Sequence, residues 1–191
     1  MVLHLGAGCS ATALLRGRSI DTTMGLTPLE GLMMATRCGD LDPAIPLVFQ
    51  RRDGLSVDRV DGMLNYESGL LGLSGVSGDM KTLLDHADVP AVRLALDVFC
   101  YRAAKAMGAM AVALGGCGQL IFTGGIGEHA APVRGQIVAH LEFLGGRLDA
   151  EARRPTLALD PGRSRRRRAS DCGSNRAVAP RCELCVMERE C

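Results

Sequence analysis

Four short stretches of this chain carry the residue types that handle phosphate. The first is His4-Leu5-Gly6-Ala7-Gly8-Cys9-Ser10, where an apolar run ends in two glycines one residue apart. Such a turn lets backbone N–H groups approach a phosphate with no Cβ in the way, and Ser10 adds a hydroxyl donor. His4, at the end of the run, can donate to a phosphoryl oxygen. A hairpin turn with a structural histidine is the plainer alternative. The second stretch, Ser19 to Leu32, crowds hydroxyls and glycines around Asp21 and Pro28. Its Thr27-Pro28-Leu29-Glu30 also reads as a capping box ahead of a helix.

The third stretch is Thr36-Arg37-Cys38-Gly39-Asp40-Leu41-Asp42-Pro43. An arginine held by a neighbouring carboxylate presents a planar cation that suits a transferring phosphoryl group. A surface ion pair in a turn is the commoner outcome for such a run. The fourth is Phe122-Thr123-Gly124-Gly125-Ile126-Gly127-Glu128, a glycine-rich turn between an apolar strand and a helix. It suits a phosphate or a nucleoside. It is not the dinucleotide fingerprint, the chain has no Walker A pattern, and a lone turn of this kind is a weak signal.

The elements that must position these stretches read as α/β. Met1 to Leu5 is a strand, and Ser10–Leu15 and Arg18–Ile20 flank Arg16-Gly17 as a hairpin. Pro90 opens a long helix whose stripe is Val92, Leu96, Phe99, Ala103, Met107, Met110 and Leu114, ended by Gly115-Gly116. Leu120-Ile121-Phe122 is a short buried strand. A second helix places Val133, Ile137, Val138, Leu141 and Leu144 on one face. Helix, strand, glycine turn, helix is the layout of a nucleotide-binding α/β unit.

Composition narrows the function classes. The 191 residues carry a net charge of +1, with four Phe, two Tyr and no Trp. Neither a basic field nor a base-stacking surface points to nucleic acid. No apolar run approaches the ~18 residues of a membrane helix, and no leader pattern follows Met1, so the expected compartment is the cytoplasm. Residues 1–150 carry 12 basic and 15 acidic side chains; residues 151–191 carry 10 Arg and 6 acids. The second segment therefore reads as a separate, poorly ordered Arg- and Cys-rich tail. Its Cys182-Glu183-Leu184-Cys185, with Cys172 and Cys191, allows a zinc-binding alternative, and Arg165 to Arg168 a nonspecific phosphate-binding one. Cys9, Cys38, Cys100 and Cys117 read as reduced thiols.

In this order, the four stretches together resemble the acetate kinase family. Ser68-Gly69-Leu70-Leu71-Gly72-Leu73-Ser74-Gly75 and Gly78-Asp79-Met80-Lys81 look like that family as well. The resemblance covers roughly residues 2–150. It implies the ribonuclease-H-like, actin-like ATPase fold of the acetate and sugar kinases, with this chain as most of the second, nucleotide-binding lobe. It implies reversible transfer of the ATP γ-phosphoryl group to acetate with Mg²⁺, in a homodimer; relatives use propionate or butyrate. By the same resemblance His4 and Arg37 are catalytic. His4, Leu5, Gly6, Ala7 and Gly8 then border the phosphates, Asp79, Met80 and Lys81 the nucleoside, and Gly125, Ile126, Gly127, Glu128 and His129 the adenosine.

Departures from the family pattern are specific. Ala7 stands where Asn is usual, Lys81 where Arg is usual, and His129 where Asn is usual. Loss of a side-chain contact like that of Asn costs ~1–3 kcal/mol where a buried partner is left unpaired. The family's first lobe is expected before Met1, and its C-terminal stretch, with a Mg²⁺-linked Glu, beyond residue 150. The change of character near residues 150–155 suggests a lost reading frame, and a scaffold lobe without catalysis is the competing reading. A lone lobe would also expose a face that its partner lobe buries, which predicts self-association.

Overall fold

The computed structural model describes residues 1–144 with their side chains, and the backbone of strands at 146–148 and 156–159. Three strands open the chain: β1 (Val2–Leu5), β2 (Cys9–Leu15) and β3 (Arg18–Thr22). They form an antiparallel meander, with Leu5 opposite Cys9 and Leu15 opposite Arg18. The two-residue turn between β2 and β3 puts both Arg16 (φ 51°) and Gly17 (φ 76°) in the left-handed region, the geometry that matches strand twist in a tight hairpin.

Four helices that the sequence reading did not assign follow: α1 (Ala44–Asp53), α2 (Val57–Tyr66), α3 (Gly69–Ser74) and α4 (Met80–Asp85). Local chemistry starts two of them. The Ser56 hydroxyl accepts from the Arg59 N–H at 3.2 Å, and the Asp79 carboxylate accepts from the Thr82 N–H at 2.8 Å. The capping box at Thr27–Glu30 starts no helix. Residues 25–39 are turns and bends, and the Thr27 hydroxyl accepts from the Leu29 N–H at 3.3 Å. The Gly31 N–H, which a helix would use, donates instead to Asp40 at 2.8 Å.

The long helix α5 (Pro90–Ala113) begins with Pro in its first turn and stops where Gly116 N–H reaches back to the Ala111 carbonyl at 2.8 Å. Its expected stripe is buried from Val92 to Met110, while Leu114 falls one residue beyond the helix, half-buried. β4 (Gln119–Thr123) then pairs parallel with β1, placing His4 beside Thr123. The glycine-rich stretch expected as a turn is a short helix, α6 (Gly124–His129), running directly off β4. α7 (Ala131–Ala139) buries Val133, Ile137 and Val138; Leu141 and Leu144, expected on the same helix, lie past its end. β5 (Gly146–Leu148) and β6 (Thr156–Leu159) complete a six-stranded sheet of order β3-β2-β1-β4-β6-β5. The sheet thus takes in residues beyond the composition break at 150.

One hydrophobic core joins the layers. Leu3, Leu5, Ala11, Ala13, Leu120 and Phe122 from the sheet meet Val92, Phe99, Ala103 and Met107 of α5 and Ile137 of α7. Among the described residues no helix is long and apolar enough to cross a membrane.

Candidate functional site

The site is built around the turn that joins β1 to β2. Gly6 N–H donates to the Gly8 carbonyl at 3.0 Å, closing the turn on itself. His4 is exposed near the end of β1, and its Nδ1 shares a 3.1 Å hydrogen bond with the Thr123 hydroxyl on β4. Its Nε2 would lie 3.5 Å from a Cβ placed on Gly6. The guanidinium of Arg37 comes from the other side: its Nη1 would lie 3.7 Å from a Cβ placed on Gly8. His4 and Arg37 therefore border the same three-residue turn.

Arg37 is not positioned by a carboxylate, as its neighbours Asp40 and Asp42 had suggested. Asp40 accepts from the Gly31 N–H and Asp42 from the Ala44 N–H, each at 2.8 Å. The ion pairs among the described residues are Arg52–Asp53 and Arg59–Glu67, both at the surface. Arg37 Nη1 instead makes longer contacts, 3.5 Å to the Pro28 carbonyl and 3.7 Å to the Met34 sulfur. What fixes it is the backbone of its loop. Ala35 N–H donates to the Ala7 carbonyl at 3.2 Å, Leu70 N–H to Met34 and Ser68 N–H to Thr36, both at 2.9 Å, and Cys38 N–H to Leu64 at 3.0 Å. A Cβ on Gly69 would come within 2.2 Å of the Met34 carbonyl, so only glycine lets α3 start this close to the arginine loop.

Beyond the turn opens a cleft of about 860 Å³. It is lined by Gly6 and Ala7 of the turn, by Ala35 and Thr36, by Gly78, Asp79, Met80, Lys81 and Leu84, and by Gly125, Ile126, His129 and Ala130. Its size and mostly apolar wall suit a nucleoside. A Cβ on Gly125 would meet no atom within 4 Å, so this backbone faces open cleft. Gly124, with φ 79°, has the opposite surroundings: its Cβ would lie 2.6 Å from the Leu5 carbonyl and 2.9 Å from His4. That close approach seats the start of α6 on the end of β1. The other end of α6 is clamped by Arg134, whose Nη1 donates to the Gly127 and Glu128 carbonyls at 2.9 and 2.8 Å. Partial burial holds the Arg134 guanidinium below its ordinary pKa.

The expected site residues divide accordingly. Gly6, Ala7, Asp79, Met80, Lys81, Gly125, Ile126 and His129 share the cleft wall. His4, Gly8 and Arg37 stand at the turn rather than in the cleft. The Leu5 side chain is fully buried in the core, and Gly127 packs against Phe122, so each can offer backbone alone. Glu128 is exposed and outside the cleft wall. Asp79 caps α4 through its interaction with Thr82, and the Thr82 N–H and hydroxyl hold its carboxyl below the usual range. The sequence reading quoted Thr36, Gly78 and Thr123 within its stretches without giving them a role, and did not name Ala35, Leu84, Ala130 or Arg134. Gly78 had a signal, since it abuts the Asp79 motif; Ala35 and Leu84 are apolar and carry none.

Mg²⁺ is ordinarily held by one or two carboxylates together with phosphates and water. Among the described residues no group of three or more His, Cys, Asp or Glu side chains converges as a ready-made metal cage. The cysteines are no substitute: burial pushes the Cys9 and Cys100 thiols up to about 12. The zinc-binding and Arg-rich alternatives for Cys172, Cys182, Cys185 and Cys191 and for Arg165 to Arg168 lie outside the described residues.

An α/β sheet flanked by helices, with a glycine turn opening into a nucleoside-sized cleft, defines a lobe of the actin-like ATPase type. The profile of the acetokinase family matches residues 1–162, and the chain belongs to that family. It is 51% identical over 160 residues to an acetate kinase of Solibacter usitatus, covering 82% of this chain and 39% of that protein. With an acetate kinase of Pseudomonas aeruginosa the identity is 52% over 151 residues, covering 78% and 38%. Among solved structures it resembles a propionate kinase from Francisella tularensis (TM-score 0.75, 44% identity, 78% and 39% covered). It also resembles the acetate kinase of Porphyromonas gingivalis (TM-score 0.74, 38% identity, 78% and 38% covered). The chain therefore spans about 39% of the length of the relatives it matches.

Proposed function

We propose that this chain is the nucleotide-binding lobe of an acetate kinase, one part of a site that passes the γ-phosphoryl group of ATP to the carboxylate of acetate. The observation that carries the reading is the β1–β2 turn. Gly6 and Ala7 line the nucleoside-sized cleft, and His4 and Arg37 border the same turn from outside it. A nucleotide whose base lies between Gly78–Lys81 and Gly125–Ala130 would direct its phosphates toward that turn. An acetate oxygen attacks the γ-phosphorus, the bond to the bridging oxygen breaks, and ADP and acetyl phosphate result. His4 and Arg37 supply fixed donors where negative charge spreads over the transferring group, which is most of what a protein contributes to phosphoryl transfer. Thr123 orients the His4 ring through Nδ1, leaving Nε2 toward the turn. Lys81 adds positive charge near the nucleotide, and His129 lies on the same cleft wall. Mg²⁺, brought in with the phosphates, would neutralise part of their charge. We place the end of the lobe near residue 162, where the family match stops, and the active assembly as a homodimer in the cytoplasm.

A second carboxylate is worth testing, because a structural relative at 44% identity is a propionate kinase. The assay is hydroxylamine trapping of acyl phosphate, with ATP, Mg²⁺ and either acetate or propionate, run with the chain alone and with the rest of a family member supplied. Hydroxamate formation that disappears in Arg37→Ala supports the reading. Formation that survives both His4→Ala and Arg37→Ala refutes it. Complete inertness toward every nucleotide in a folded sample favours the scaffold alternative.

A further inference from the structure

The backbone N–H, the backbone carbonyl and the carboxylate of Asp40 each have a partner. The N–H donates to the Gly31 carbonyl at 2.9 Å, and the carboxylate accepts from the Gly31 N–H at 2.8 Å. These two bonds close residues 31 to 40 into a loop, and Arg37 lies on it. Gly39 shows how tightly the loop closes: its φ is 68°, and a Cβ there would stand 2.6 Å from the Gly31 carbonyl oxygen. The third partner comes from far away in sequence. Nη2 of Arg102 donates to the Asp40 carbonyl at 2.8 Å, across 62 residues.

That third bond ties the loop to a different kind of support. Its other fastenings lead to the β1–β2 turn, through Ala35 and Ala7, and to the end of α2. There the Cys38 N–H meets the Leu64 carbonyl at 3.0 Å and the Thr36 hydroxyl meets the Asn65 carbonyl at 2.9 Å. Of its own side chains α2 buries only Val60. Arg102 stands in the middle of α5, whose next two residues, Ala103 and Ala104, are buried in the core. A helix held by a core opens last, so it is the firmer anchor. Arg102 is half-buried and belongs to neither ion pair among the described residues. Its planar, permanently charged guanidinium makes a directional, charge-assisted bond to the carbonyl. Arg37 has no such fixing of its own, only contacts of 3.5 Å to Pro28 and 3.7 Å to Met34. Where its guanidinium sits therefore depends on where the loop is held.

We propose that Arg102 is a positioning residue for Arg37. Through the Asp40 carbonyl it pins the 31–40 loop to α5, which keeps the Arg37 guanidinium beside Gly8 at the turn that takes the terminal phosphate. Arg102 does not line the cleft, so it acts on the phosphate through Arg37 and not on the nucleoside. The assignment rests on the phosphate-binding role of Arg37 proposed above, while the tether itself can be read without nucleotide.

The test compares the full chain with Arg102→Met, which keeps the apolar stem and removes the donor, Arg102→Lys, which keeps one donor, and Arg37→Ala. Amide hydrogen exchange reads the tether. Titration with Mg²⁺ and either ADP or the β,γ-imido analogue of ATP reads the site. In Arg102→Met, exchange at Asp40 should speed up about tenfold while the amides of β1 and β4 hold. ADP affinity should stay within about twofold, and the preference for the triphosphate should fall most of the way to the Arg37→Ala value. Arg102→Lys should restore part of both, and it carries the exchange measurement if Arg102→Met unfolds. Unchanged exchange at Asp40 overturns the proposal. So does a parent-like triphosphate preference in Arg102→Met where Arg37→Ala has lost it. Equal acceleration throughout the core also overturns it, because Arg102 would then support the whole fold. A parent that binds no ADP, or Arg37→Ala with its preference intact, refutes the reading of the site instead, and the exchange rates then decide the tether alone.

Discussion

Consider alanine at Gly124 and, separately, at Gly125. At Gly124 the backbone sits at φ 79°, and a Cβ would lie 2.6 Å from the Leu5 carbonyl oxygen and 2.9 Å from the His4 ring. The left-handed backbone costs an L-residue ~1–2 kcal/mol. Forcing β1 and α6 apart adds ~1–3 kcal/mol, as overpacking does elsewhere. The sum, roughly 2–5 kcal/mol, corresponds to a fall in Tm of roughly 4–20 °C for a domain of this size. At Gly125 there is no positive φ and no atom within 4 Å of the new methyl group. Alanine there gains about 0.5–1 kcal/mol of helix stability, so Tm should hold or rise. The methyl group projects into the cleft, however, and ADP affinity should fall about tenfold, equivalent to about 1.4 kcal/mol. Calorimetry for Tm and isothermal titration for ADP measure both quantities on the same samples. Gly124→Ala with an unchanged Tm would refute the close seating of α6 on β1. Gly125→Ala with unchanged ADP affinity would refute the cleft as the nucleotide site.

Three further outcomes follow from single contacts. Arg134→Ala removes two hydrogen bonds to the carbonyls at the end of α6 and should cost roughly 1–3 kcal/mol, with weaker ADP binding; Arg134→Lys should recover only part of it. The Asp79 carboxyl, held below its ordinary value by the Thr82 N–H and hydroxyl, favours the fold when ionised. Its stabilisation is complete above about pH 4 and is lost as pH falls through the lowered value, so the Tm gap between parent and Asp79→Ala should close in acid. Burial raises Cys9 and Cys100 to about 12, so both stay protonated in the fold. Iodoacetamide at pH 8, read by peptide mass mapping, should modify Cys38 and Cys117 well before either of them. The fold gains from those neutral thiols below the ordinary thiol pKa and loses that gain as pH rises toward 12.

The parts of this lobe that could be read from the sequence are those in which one physical signal dominates. The α5 stripe from Val92 to Met110, the Arg16-Gly17 hairpin and the apolar β4 each depend on periodicity or turn chemistry, and each is present. The region from Ala44 to Asp85 went unassigned for mixed reasons. α1 buries no side chain and carries no apolar period to mark it, whereas α2 repeats Val57, Val60, Met63 and Leu64 at helical spacing after the Ser56 cap, a signal that was present and not read. The glycine-rich stretch after β4 reads as a turn by propensity, yet contacts with β1 and the Arg134 clamp make it helical. The Arg37 loop shows the same limit. Adjacent acids suggested an ion pair, but those carboxylates satisfy backbone N–H groups, and the loop is held by main-chain bonds that leave no trace in residue type.

The most direct measurement is an amide chemical-shift map of the ¹⁵N-labelled chain titrated with ADP and Mg²⁺. Saturable shifts at Gly6, Ala7, Gly78 to Lys81 and Gly125 to Ala130, with the outer surface of α5 and α7 around Asp97 and His140 unmoved, are the predicted result. No saturable shifts in a folded sample, or shifts centred on that outer surface, would contradict a nucleotide-binding lobe.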